Sequence, residues 1–197
     1  MRSVLFPKLY DVLMAPAERG RLGRWREAVV VAAEGRVLEI GAGTGLNFSH
    51  YRPDAWVVAT DPDVGMLECA RPRARESAAE IVFVAADAEA LPFRDGAFTE
   101  GVVGLALCTI PRPSVALAEL RRTIRHGGRL RLLEHVRVDS PVLGRLQDWL
   151  TPLWRRVAGG CRLNRRTVEA VAESGFTLEC VTPHLGGCVQ EIVGRAP

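Results

Sequence analysis

With 197 residues and 48% hydrophobic side chains, the chain has the length and composition of one α/β domain with a full-sized core. Its net charge is +3, and its 26 basic residues, all arginine except Lys8, are spread among 23 acids rather than gathered into a tail, which argues against a nucleic-acid partner. No apolar run reaches the roughly 18 residues of a membrane span, and Pro7, Lys8 and Asp11 interrupt the N-terminus before a signal-peptide core could form, so a soluble, unprocessed, cytoplasmic protein is expected.

Residues 1–33 read as a helical N-terminal cap, broken at Pro7 and Pro16, with Trp25, Ala28, Val29 and Val30 as an apolar stripe. A first strand over 36–40 carries Glu39 and runs straight into Gly41, Gly43 and Gly45, and a helix is expected from about residue 45. Glycines there admit positive φ and let the backbone approach a ligand, to which the helix N-terminus would add unpaired amides. A dinucleotide fingerprint, G-x-G-x-x-G, would need its third glycine where Leu46 stands, which opposes a nicotinamide-dependent oxidoreductase.

A second strand over 55–60 ends at Asp61, about where a Rossmann unit holds the carboxylate that binds ribose hydroxyls. Asp63 is a good N-cap for a helix over 63–79 carrying Met66 and Leu67, with a kink expected at Pro72. A third strand over 81–85 leads into Asp87-Ala88-Glu89-Ala90-Leu91-Pro92-Phe93. The unbroken apolar stretch from Phe98 to Leu107 suits a central parallel strand buried on both faces. A helix over 114–125 stops at His126-Gly127-Gly128, and a fifth strand covers 129–136.

Strand after helix after strand implies a doubly wound sheet with right-handed crossovers. Residues 142–157 form an amphipathic helix, bent or split at Pro152, with Leu143, Leu146, Trp149, Leu150, Leu153, Trp154 and Val157 on its apolar face. That face reads as core or lid, with contact to a membrane surface as the lesser reading. A helix over 164–175 and an antiparallel pair over 176–181 and 189–193 complete the chain. The whole reads as a single domain, with a helical cap over 1–33 and a helical lid over 139–175.

Cys69, Cys108, Cys161, Cys180 and Cys188 are odd in number and show no C-x-x-C or Cys/His ligand spacing, so they read as reduced thiols, and no metal site is expected. His50, His126, His135 and His184 lie far apart in sequence.

The order Glu39-x-Gly41-x-Gly43-x-Gly45, with Asp61 and the Asp87 motif correctly spaced after it, resembles that of class I S-adenosylmethionine (SAM) methyltransferases. Further segments, G-A-G-T-G-L-N-F-S-H-Y at 41–51, L-C-T-I at 107–110, L-L-E-H-V at 132–136 and G-C-R-L-N-R-R-T at 160–167, resemble the thiol methyltransferases and their bacterial quinone- and phospholipid-methylase relatives. No counterpart of the long hydrophobic anchor of the animal thiol methyltransferases is expected.

The resemblance implies a Rossmann-like α/β fold with seven strands, mostly parallel and closed by an antiparallel C-terminal strand. It also implies S-adenosyl-L-methionine as cofactor and a small-molecule methyl acceptor. Asp87 and Ala88 would meet the adenine, and Tyr10 would close over the sulfonium. Glu39, Gly41, Gly43, Gly45, Asn47, Asp61, Pro62, Met66 and Leu105 complete the cofactor-binding set. Displacement at a sulfonium methyl mainly requires alignment and exclusion of water. His135, at the end of the fifth strand, is the candidate base or substrate-orienting group. Acceptors weighed are a thiol first, then a phospholipid or quinone; a catalytically silent SAM-binding protein is the remaining alternative.

Overall fold

The computed structural model describes residues 15–197; Tyr10 and the predicted break at Pro7 lie outside them. Residues 15–18 are helical, and α1 (Arg21–Val31) turns Arg26, Val29 and Val30 inward. Trp25 is half-buried, stacked on His184 with ring centroids 4.3 Å apart, whereas Ala28 faces outward.

The strands are β1 (Arg36–Ile40), β2 (Trp56–Asp61), β3 (Glu80–Ala85), β4 (Phe98–Gly104), β5 (Ile124–His135), β6 (Thr177–His184) and β7 (Val189–Arg195). They form one seven-stranded sheet in the order β3-β2-β1-β4-β5-β7-β6. The first five pair in parallel, and β7 is antiparallel to both β5 and β6. This is the expected Rossmann-like arrangement. The strand order reverses between β1 and β4, so the crevice where ligands bind in such sheets opens beyond the C-terminal ends of those two strands.

Helices α2 (Val64–Glu76), α3 (Pro113–Thr123), α4 (Pro141–Val157) and α5 (Thr167–Glu173) complete the chain. One large apolar cluster joins Leu38, Ile40, Val103, Leu117, Leu120, Leu130, Leu132 and Ile192. A second, built on Val30, Val37, Phe48, Tyr51, Val57 and Ala70, packs α1 and α2 with the first strands.

Four expectations are corrected. No α-helix follows the glycine turn: only a 3-10 turn at Phe48–His50 separates it from β2. Gly41, Gly43 and Gly45 have φ of 64°, 54° and 81°, which a right-handed helix cannot contain. The Thr44 and Phe48 carbonyls accept instead from Arg73 and Ser77, side chains of α2 and its C-cap. Next, β4 stops at Gly104 rather than Leu107, because Leu105 takes φ 57° and turns the chain out of the sheet.

Helix α4 runs through Pro152 unsplit. Its apolar stripe is not domain core: Trp149 is 77% exposed and Leu153 63%, with Val142, Leu143, Leu146 and Trp154 also exposed. Gly144 and Thr151 are the buried positions of this helix among the described residues. No helix of the described residues is long and apolar enough to cross a membrane.

Candidate active site

Because β1 to β5 are parallel, their C-terminal ends share one edge of the sheet, and Gly41, Gly43, Gly45, Asp61, Asp87, Leu105 and His135 stand at or just past it. At β1 the three glycines turn sharply. A Cβ on Gly41 would lie 2.3 Å from the Ala106 Cβ, so glycine is what lets the turn and the loop after β4 touch. A Cβ on Gly43 would meet nothing nearer than the Gly41 carbonyl oxygen at 4.0 Å, so this part of the turn is open to a ligand.

Asp61 ends β2 beside that turn. Its Oδ2 accepts from the Gly43 amide at 3.0 Å and its Oδ1 from the Asp63 amide at 2.8 Å. Asp63 in turn caps α2, accepting from Gly65. Pro62 is exposed and Met66 half-buried in the first turn of α2. After β3, Asp87 is exposed, accepts from the Glu89 amide at 2.9 Å, and stands next to the buried Ala88.

Glu39 and Asn47 lie behind the turn rather than on its open side. Asn47 Nδ2 donates to Glu39 Oε1 at 2.8 Å, and the Tyr51 hydroxyl donates to Oε2 at 2.8 Å. Arg26 Nη1 donates to Asn47 Oδ1, while Nη2 of the same guanidinium pairs with Glu18 at 2.7 Å. Burial raises the Glu39 pKa to about 7, although the bonds from Tyr51 and Asn47 and the charge of Arg26 pull it down. The network ties α1 to the underside of the glycine turn. Both carboxylate oxygens of Glu39 are engaged inside the protein, so its part in the site is to position the turn.

The loop after β4 has an equally specific support. Glu134, fully buried on β5, accepts from the amides of Ala106 (2.8 Å) and Leu107 (2.7 Å) through Oε1, and from that of Cys108 (3.2 Å) through Oε2. Burial raises its pKa to about 7 against these three bonds. Leu105, the residue in left-handed conformation that starts the loop, donates to the Leu133 carbonyl at 2.7 Å and packs on Val29, Leu133 and Val189. A non-glycine residue held in that region stores backbone strain, which persists where surrounding contacts dictate it.

Next to Glu134, the His135 Nδ1 lies 3.6 Å from the Cys161 Sγ, and the donor atoms of Cys108, His135 and Cys161 all fall within 4.8 Å of one another. The hydrogen bond from Cys108, together with that from His135, holds the Cys161 thiol below its usual range in spite of burial, and the same Cys108–Cys161 bond pushes Cys108 up. Burial opposes charge on His135, but its contact with Cys161 leaves the ring more basic than usual.

Helix α4 leads into the turn at Gly159 and Gly160 that carries Cys161. Gln147 fastens the helix by accepting from the Val138 amide and donating to the Val136 and Leu163 carbonyls. Arg137 pairs with Asp148, and Asn164 donates to the same carboxylate oxygen at 2.8 Å. Arg165 donates to the Ile110 carbonyl, and its buried Nε finds no hydrogen-bond partner among the described residues. A cleft of about 680 Å³ lined by Asp95, Ser114, Arg121, Arg122 and Glu173 contains none of the strand-end residues.

Sequence reasoning missed Cys161 and the supporting parts played by Arg26, Tyr51 and Glu134. Cys161 and His135 stand 26 positions apart, so no local spacing announces their contact. The sequence alternation sends Glu134 to the other face from His135, and the buried carboxylate accounts for its role there: it anchors the loop amides.

Residues 38–132 match the model of a family described as a methyltransferase domain. A human thiol S-methyltransferase, TMT1B, is 31% identical over 183 residues, covering 87% of this chain and 75% of that protein. A ubiquinone/menaquinone biosynthesis C-methyltransferase of Rhizobium etli is 30% identical over 153 residues; the match covers 72% of this chain and spans only 59% of that relative's length. At the level of fold, the chain superimposes with a TM-score of 0.69 on a geranyl diphosphate C-methyltransferase from Streptomyces coelicolor A3(2), solved with Mg2+, geranyl diphosphate and S-adenosyl-L-homocysteine. That match is 14% identical and covers 89% of this chain and 79% of the other.

Proposed function

We infer, for a chain that belongs to the SAM-dependent methyltransferase family, that it binds the cofactor over the glycine turn and methylates a small apolar or amphipathic acceptor, with a thiol the favoured class. The observation that carries this reading is the contact of Gly41 with Ala106. It joins the turn that would hold the cofactor to the loop that carries Cys108 toward His135 and Cys161, so donor and acceptor share one crevice.

The residues present fit the cofactor. Gly43 leaves open space over the turn, the Asp61 carboxylate stands beside it for ribose hydroxyls, and the exposed Asp87 beside Ala88 suits the adenine edge. S-adenosylmethionine supplies a methyl group on a positively charged sulfur, ready for in-line attack. The chain's own residues then hold the acceptor in line and keep water out. His135, half-buried under the lid helix, orients the acceptor or takes its proton. Trp154 and the apolar residues of α4 form a lid suited to an apolar body.

The likeness to a quinone C-methyltransferase, with the exposed apolar stripe of α4, favours a quinone or phospholipid acceptor as the second reading. Contact of α4 with a membrane surface belongs to that reading. Calorimetric titration with SAM, S-adenosylhomocysteine and NADH tests the cofactor: the two adenosyl ligands bind and NADH does not. Methyl transfer from SAM to a panel of thiols, phenols and quinones then separates the acceptor readings. Absence of adenosyl binding would sink both.

A further inference from the structure

We propose that Cys108, His135 and Cys161 form a Zn2+ site with one coordination position open, and that this position receives the acceptor as its thiolate. The second half of the proposal rests on the methyl-transfer reading above; the metal site itself does not.

The donor atoms already sit where a tetrahedral ion needs them. Bonds of about 2.3 Å to sulfur and about 2.0 Å to nitrogen at a tetrahedral angle set the two donors roughly 3.5 Å apart. The Cys161 Sγ and His135 Nδ1 are 3.6 Å apart, and Cys108 Sγ is within 4.8 Å of both. Two thiolates and a neutral imidazole cancel the charge of the ion, which matters because Cys108 and Cys161 are only 0% and 6% exposed. Two sulfurs and one imidazole are also a donor set that three-ligand zinc sites with an open position use.

The backbone that carries the ligands is fixed from outside. Glu134 clamps the amides of residues 106 to 108. The Arg162 amide donates to the Cys108 carbonyl at 3.1 Å, tying the two cysteine-bearing segments together. Gly159 and Gly160, at φ 60° and 97°, turn the chain from the end of α4 so that Cys161 faces β5. Groups that orient metal ligands in this way strengthen binding by about ten- to a hundredfold. Among the described residues no fourth Cys, His, Asp or Glu joins the group, which leaves a position for an exogenous ligand.

That position lies on the productive side of the sheet. With strands about 4.8 Å apart, the end of β5 is roughly 10 Å from the glycine turn at β1, with β4 and its loop between them. Binding of the ion releases the protons of the two cysteines. An acceptor thiol that takes the open position gives up its own proton to solvent and stays bound as thiolate. Its lone pair forms the new carbon–sulfur bond while the bond from methyl to sulfonium breaks and leaves its electron pair on that sulfur. The products are a thioether and neutral S-adenosylhomocysteine. In this arrangement His135 is a ligand, and the metal rather than the ring makes the acceptor anionic.

The test uses the full chain purified from zinc-supplemented cells. Elemental analysis is expected to find about one zinc per chain. The metal-stripped protein titrated with Co2+ should show the intense visible bands of tetrahedral cobalt and a thiolate charge-transfer band. Cys108→Ser and Cys161→Ser should each weaken Co2+ binding about tenfold or more and lose part of the charge-transfer intensity, whereas Cys69→Ser should change neither. Thiophenol added without cofactor should shift the visible bands. A wild-type chain without metal and without cobalt bands, bands unchanged in both serine variants, or a Cys108–Cys161 disulfide in the protein as isolated would overturn the site. Cobalt bands that ignore thiophenol would overturn its role in acceptor binding. Cobalt bands in a chain that binds no adenosyl ligand would leave the metal site standing and remove the methyl-transfer reading.

Discussion

The Gly43 amide donates to Asp61 Oδ2 at 3.0 Å, so the carboxylate proposed to receive ribose also clamps the turn over which the cofactor would lie. Asp61→Asn keeps an acceptor for one backbone amide and loses the charge. We expect SAM affinity to fall about tenfold or more, in line with roughly 1.5–3 kcal/mol for hydrogen bonds to a charged group. Asp61→Ala also frees the amides of Gly43 and Asp63 and should lower the melting temperature further. Calorimetry and thermal denaturation of both variants check this, and unchanged affinity in Asp61→Asn would remove the ribose assignment.

Two neighbouring glycines should respond differently to the same substitution. Gly41→Ala drives a Cβ to 2.3 Å from Ala106 at positive φ, and we expect a loss of more than about 3 kcal/mol with displacement of the loop after β4. Gly43→Ala meets open space, so its stability cost is the conformational one, about 1–2 kcal/mol. Its main effect should be on SAM affinity. Urea unfolding paired with ligand titration separates the two, and equal stability losses would contradict the geometry.

Glu39 gives a pH dependence of definite sign. Its folded pKa, raised by burial to about 7 from 4.5, means that the folded chain holds this proton between those values and the unfolded chain does not. Its contribution to stability is therefore fully present below about pH 4.5 and is lost as pH rises through about 7, with an upper scale of about 3 kcal/mol. Glu39→Gln removes the titration. The stability difference between wild type and variant should move in favour of the variant from pH 4.5 to 8. A constant difference would mean that the carboxyl does not titrate there.

The exposed stripe of α4 predicts that Trp149→Ser changes the urea midpoint by no more than about 0.5 kcal/mol equivalent, since surface substitutions seldom do more. Trp154→Ala should cost more, since Trp154 is 41% exposed and buries more of its ring than Trp149. Were Trp149 domain core, its loss would cost about 3–5 kcal/mol.

Much of the fold was legible because its signals are local. Apolar runs of strand length, capping at Asp63 and the glycine at 175 marked most elements to within a few residues, whereas Gly127, read as a helix stop, lies inside β5, which begins at Ile124. The failures fell where long-range contacts outrank local preference. No helix follows the glycine turn, where Gly45 takes φ 81° and Arg73 and Ser77, from α2 and its C-cap, bond the Thr44 and Phe48 carbonyls. The strand through Leu107 ends early because Glu134 draws the amides of 106 to 108 away from the sheet. The apolar face of α4 was visible as a periodicity, but periodicity does not say what covers a face.

The sequence by itself determined the order of the seven strands, the glycine turn and the acidic residues that follow it, because backbone freedom, side-chain period and chain direction are properties of neighbouring residues. Only the tertiary structure decided that Cys108, His135 and Cys161 meet, that Arg26, Asn47 and Tyr51 surround Glu39, and that Gly41 touches Ala106. Those contacts join positions separated by many residues. They arise because parallel strands align their C-terminal ends and the turn at Gly159 and Gly160 after α4 brings Cys161 to that edge, a juxtaposition set by the packing of the whole sheet.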